Sequence, residues 1–112
     1  MNADEVIQQI EDVLDKKLPM SPSYWVEQAE QLNILSSDET DRLTVLAKKA
    51  AYKQLEWVEM GKSMAESELR VKTTDEYQEL QNQKAKVERI KEIIRLAKVH
   101  ARMKNEEYVT NF

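Results

Sequence analysis

The sequence predicts an all-α fold: a long antiparallel helical hairpin with two short N-terminal helices packed on it. Three observations lead there. Glycine occurs once and proline twice, while 34% of residues are charged, a composition poor in the punctuation that strands and tight loops require. From about residue 36 to 108 apolar side chains recur at steps of three and four, the helical period. One cluster of poor helix formers, at Lys72-Thr73-Thr74-Asp75, interrupts that stretch and divides it into arms of about 37–72 and 74–108.

In chain order, the first short helix is capped by Asn2, with Glu5 in the reciprocal position. Val6, Ile7, Ile10, Val13, Leu14 and Leu18 form its apolar face, and Pro19 is expected to end it. Ser21-Pro22 reads as a cap followed by a first-turn proline, opening a second short helix with Tyr24, Trp25, Val26, Ala29 and Leu32 on one face. Asn33-Ile34-Leu35 leads out of it. Helices this short are unstable alone. The surface expected to receive them is the hairpin around Leu43–Leu55 and Ile93–Met103.

The first arm opens at Ser36-Ser37-Asp38-Glu39, where a serine can cap and Glu39 can reach back. Its apolar stripe runs through Leu43, Leu46, Ala50, Leu55, Trp57, Val58, Met64 and Leu69. The centre line is Ala47, Gln54, Gly61 and Glu68, small enough at two places for a second backbone to approach. Gly61 then lies within the helix, explained by close packing near Ala85 or by a kink.

Thr73 and Glu76 form a further capping box at the turn, and an uninterrupted helix of about 70 residues is the competing arrangement. In the second arm Leu80, Val87, Ile94, Ala101 and Tyr108 recur every seven residues, with Ile90 and Ala97 between them. Gln83 and Lys104 dilute this seam. Ile93 and Leu96 widen it beyond what a two-stranded coil needs. Residues 109–112 form a tail carrying Val109 and Phe112. The whole, 1–112, reads as one helical domain, 1–35 supplying the short helices and 36–108 the hairpin. Arms of this length each reach roughly 50 Å, and the apolar flanks of such a shape call for company.

Chemistry is scarce. With no cysteine there are no disulfides or thiolate metal sites, and with one glycine there is no phosphate-cradling loop. His100, the single histidine, sits at the edge of the apolar face with no partner at ligand spacing; a half-buried or surface role fits it better than a metal ligand or base. Glu66 with Glu68, and Asp75 with Glu76, suit solvated or capping positions rather than an acid–base pair. No enzyme, cofactor, metal or small-molecule substrate is expected. No apolar run approaches the roughly 20 residues of a membrane span. The acidic start Met1-Asn2-Ala3-Asp4-Glu5 is unlike a secretory signal. A cytoplasmic protein without a membrane partner is expected.

Two surfaces stand out. Trp57, Met60 and Met64 make an adaptable apolar patch suited to another subunit or a target protein, with ordinary hairpin core as the competing role. Lys84, Lys91, Arg95, Lys98 and Arg102 fall on one strip opposite the Ile90–Ala97 seam and could follow a nucleic-acid backbone. A solvated face, or neutralisation by the acidic N-terminal helices, competes with that. Residues 1–42 hold ten acids against three bases, the remainder eleven against fourteen, within a net charge of −4. The acidic total and the lack of interleaved aromatics make a protein partner, or a second copy, the favoured expectation over nucleic acid.

Ala65-Glu66, Val71-Lys72-Thr73-Thr74-Asp75-Glu76-Tyr77, Ala85, Glu88, Arg95-Leu96-Ala97-Lys98 and Ala101-Arg102 together resemble small all-helical accessory proteins encoded by bacteriophages. Those chains share an Ala-Glu stretch, a Ser/Thr-x-Glu-Tyr turn and a basic second arm. The likeness covers about a third of the chain. It implies a non-catalytic role in the host cytoplasm during infection, near recombination or host-defence functions, and carries over no site residues.

Overall fold

Among the described residues four α-helices follow one another: α1 (Ala3–Asp15), α2 (Pro22–Glu59), α3 (Met64–Val71) and α4 (Asp75–Thr110). The structure is a computed structural model that describes the backbone of residues 1–110 and the side chains of residues 1–103. The seam position Tyr108 and the tail residues Val109 and Phe112 lie outside the described side chains. Among the described residues no helix is long and apolar enough to cross a membrane.

Packing divides the chain into two compact units, one formed by Met1–Ser37 with α4 from Glu88 onward, the other by Asp38–Val87. In each, a stretch of α2 packs on a stretch of α4 and a short helix joins them. The expected hairpin of two long helices with short ones packed on it is therefore present. Its division along the chain differs from the expectation at two places.

The first difference is at Ser36–Glu39. No helix begins there, because α2 runs unbroken from Pro22 to Glu59. Ser36 Oγ donates to the Asn33 carbonyl at 2.8 Å inside the helix instead of capping a new one. Glu39 is drawn away across the unit, as described below. Nothing in Asn33-Ile34-Leu35 compels a stop, so the second short helix and the first arm are one.

The second difference is at Gly61. It is neither packed mid-helix nor a kink: α2 ends at Glu59 and Gly61 lies beyond its end with φ +90°. Gly61 N–H donates to Val58 O at 3.0 Å and Lys62 N–H to Trp57 O at 3.0 Å, the paired bonds of a Schellman closure. A Cβ at Gly61 would meet nothing within 4 Å, so the backbone angle, not close packing, is what favours glycine here. The supposed centre line fails with it: Ala47, Gly61 and Glu68 are exposed, as is Ala85. Burial follows Leu46 and Ala50, with Leu43 and Trp57 half-buried beside them.

The remaining boundaries follow local chemistry. Asn2 and Glu5 form the expected capping box on α1. That helix stops at Asp15, well before Pro19, in another Schellman closure: Lys17 N–H donates to Leu14 O and Leu18 N–H to Val13 O. Lys17 holds the left-handed position, φ +52°. Ser21 accepts from Tyr24 N–H at 3.3 Å and opens α2 at Pro22. Ser63 caps α3, accepting from Glu66 N–H at 3.1 Å. The predicted break at Lys72–Asp75 is present between α3 and α4. Its cap is Thr74 rather than Thr73: Thr74 Oγ1 accepts from Tyr77 N–H at 3.2 Å and donates to Val71 O at 2.6 Å.

The first unit's core gathers Val6, Ile7, Ile10 and Val13 of α1 with Trp25, Ala29 and Leu32 of α2. Ile90, Ile93, Ile94 and Ala97 of α4 complete it. The α1 helix thus meets the expected stretch of the second arm, but its α2 contacts come from Trp25–Leu32 instead of Leu43–Leu55. The second unit's core is smaller: Leu46, Ala50, Val71 and Leu80, with Leu43, Trp57 and Tyr77 packed against them.

Candidate interaction surfaces

Along α4 the buried positions alternate by threes and fours, as the seam requires, until Gln83 replaces an apolar residue. Gln83 is only 6% exposed and needs partners. Its Nε2 donates to the backbone carbonyl of Glu39 and to Glu39 Oε2, both at 2.8 Å. Lys86 Nζ reaches Glu39 Oε1 at 3.1 Å. The hydrogen bond from Gln83, reinforced by Lys86, holds the Glu39 carboxyl below the usual carboxylate range. One polar link thereby sets the register of α2 on α4 within the second unit.

The patch expected at Trp57, Met60 and Met64 separates on inspection. Trp57 is half-buried and packs into the second unit's core. Met60 and Met64 stand on either side of the Gly61 turn, 73% and 58% exposed. Leu69 on α3 is exposed as well, and so are Val45, Tyr52 and Leu55 on α2. Val45 and Tyr52 are seven residues apart and share one face of the helix, with Leu55 a turn beyond Tyr52. Leu55, expected in the packed stripe, is exposed here together with Val45 and Tyr52.

Beside that face lies a groove of about 580 Å³ within the second unit. Lys49, Tyr52, Lys53 and Glu56 of α2 line one wall, Asp75, Glu76 and Glu79 of α4 the other. Lys53 pairs with Glu56 of its own helix at 3.6 Å. Among the described residues no ion pair crosses the groove.

All five cations of the basic strip, Lys84, Lys91, Arg95, Lys98 and Arg102, are exposed. Two are engaged along their own helix, Lys91 with Glu88 at 3.3 Å and Arg95 with Glu92, Nε to Oε2, at 3.1 Å. The Arg95 hydrogen bonds hold the Glu92 carboxyl below its ordinary range. In the first unit α1 directs Glu11 to Arg89, which is off the strip. In the same unit His100 is half-buried and stacks on Trp25, ring centroids 4.7 Å apart and planes at 23°. Both rings border an apolar cleft of about 310 Å³. Among the described residues no cluster of His, Cys, Asp or Glu is arranged to hold a metal ion.

No protein-family model, curated protein or solved structure matches this chain.

Proposed function

We propose that this chain is a non-catalytic helical interaction protein that self-associates or binds a protein partner through the second unit. The observation that supports this reading is an imbalance between Asp38 and Val87. Five apolar side chains are buried there, four of them in one cluster, while Val45, Tyr52, Leu55, Met60, Met64 and Leu69 are exposed to water. Exposed apolar surface of this kind favours association, and methionine and tyrosine are side chains that adapt to a partner or anchor one. The setting we propose, from the likeness of the turn and basic arm to phage accessory chains, is the cytoplasm of an infected host.

The test uses the full chain. Association is read by sedimentation velocity and by capture of a specific host protein, for the wild type, for Met60→Glu/Met64→Glu and for Tyr52→Glu. At least one substitution set abolishes association while the helical circular dichroism is unchanged. A wild-type chain that remains a single copy and captures nothing overturns the reading, as does association that survives both sets.

A second reading, an accessory nucleic-acid-binding protein, draws on the exposure of all five strip cations. It expects a salt-dependent mobility shift with DNA or RNA that Lys91→Glu/Arg95→Glu removes. Binding absent at low salt, or indifferent to the reversal, eliminates it.

A further inference from the structure

We infer that the partner seated on the second unit is another copy of this chain, docked across the groove beside Tyr52 by a two-fold axis. This rests on the interaction reading above and names its occupant. The groove's two walls carry net charge of opposite sign: Lys49, Lys53 and Glu56 on α2, where Lys53 pairs with Glu56, and Asp75, Glu76 and Glu79 at the start of α4. Among the described residues no ion pair joins the walls and none engages Lys49, Asp75, Glu76 or Glu79, so that charge remains open to an incoming surface. A two-fold interface brings each patch against the same patch of the other copy, so a surface must be complementary to itself. This groove meets that condition. Rotation about an axis running along the groove sets the lysines of each copy against the carboxylates of the other, twice over.

The apolar part of the contact is also present. Tyr52, 65% exposed, lines the α2 wall, and Val45 and Leu55 on the same helix are about half exposed. Across a two-fold axis these side chains meet their own counterparts, giving an apolar centre with a charged rim. A strongly acidic or strongly basic partner would suit one wall and be repelled by the other. A second copy satisfies both.

Charge exchange between two variants tests the inference. One chain carries Lys49→Glu/Lys53→Glu, the other Asp75→Lys/Glu79→Lys; all four side chains lie at the surface, and circular dichroism confirms that both variants fold. By sedimentation velocity the wild type is a dimer, and each variant alone dimerises at least about tenfold more weakly, since like charges now face one another. Mixing the two restores a dimer, necessarily a heterodimer, because the exchanged side chains of each variant now face charge of opposite sign on the other. Dimerisation unaffected by either reversal, or variants that fail to recover on mixing, would overturn the inference. A wild type that stays monomeric yet captures a host protein through Met60 and Met64 sinks this inference alone. One that is monomeric and captures nothing sinks the interaction reading with it.

Discussion

In the first unit twelve buried apolar side chains close on one another around Ile10, Leu32 and Ile90, whereas in the second only Leu46, Ala50, Val71 and Leu80 do so. The second unit makes up part of the difference with a polar device. Gln83, Glu39 and Lys86 tie α2 to α4 where the seam lacks an apolar side chain. It also keeps six large apolar side chains in water, against five described in the first unit, Met1, Leu18, Val26, Ile34 and Met103. The difference teaches that one helical period can serve two ends: in one stretch it fills a large core, in the other a small core is completed by a polar link that sets the register.

The largest expected effect comes from emptying the fuller core. Ile90 is completely buried, and Ile90→Ala lowers the unfolding free energy by about 3–4 kcal/mol, within the range for large-to-small core changes. Leu46→Ala, in the thinner core, costs about 2 kcal/mol because its surroundings relax more readily. Urea denaturation of the two variants checks the ranking, and equal losses would erase the contrast between the cores.

Next comes the polar link. Gln83→Leu removes both hydrogen bonds to Glu39 and costs about 1–2 kcal/mol, typical of a bond to a charged group. The same change alters the response to acid. The Glu39 carboxyl titrates in the folded chain below its ordinary value of 4.5, so its contribution is complete above that value and is lost as pH falls through the lower folded one. Between about pH 7 and about pH 3 the gap between wild type and Gln83→Leu therefore narrows. A gap that is constant with pH contradicts the role given to Glu39.

Ser67 sharpens the comparison in the opposite sense. It is fully buried on α3, and its hydroxyl makes no hydrogen bond among the described residues. Ser67→Ala removes a desolvated polar group and raises stability by about 1 kcal/mol.

The smallest effects belong to the two Schellman turns, which differ only in the residue at the left-handed position. Gly61→Ala forces a side chain into φ +90° and costs about 1 kcal/mol. Lys17→Gly relieves φ +52° and gains about 0.5 kcal/mol, part of the relief being offset by the freedom glycine gains when unfolded. Thermal unfolding shows the two shifts with opposite sign.

Four sites in the sequence carry a capping residue with glutamate three places on, and their fates show how far the fold could be read. Asn2 with Glu5 stands at the start of α1 and caps as expected. Ser63 with Glu66 caps α3, a start that becomes legible only once Gly61 is recognised as the end of α2. Thr73 with Glu76 marked the break within one residue, Thr74 serving because its hydroxyl also closes α3. Ser36 with Glu39 has the same letters and caps nothing, since no residue before it ends a helix and Glu39 has better partners in Gln83 and Lys86. A start signal is decisive only after a stop, and partners 44 residues away cannot be seen in a local pattern. The second arm was legible for the converse reason. Leu80, Val87, Ile90, Ile94 and Ala97 are all buried, as their spacing alone demanded. Of the Trp57, Met60 and Met64 patch, the sequence offers both core and contact surface, and only packing separates Trp57 from the two methionines; the groove walls were out of reach because they join residues of different helices.

Hydrogen exchange followed amide by amide at low and high protein concentration tests the contrast between the units most directly. Slow exchange at both concentrations is predicted for Val6–Val13 and Ile90–Ala97. Between Val45 and Leu55 exchange is predicted to be faster when the protein is dilute and markedly slower when it is concentrated. Uniform protection across both stretches, with no response to concentration, would contradict the account.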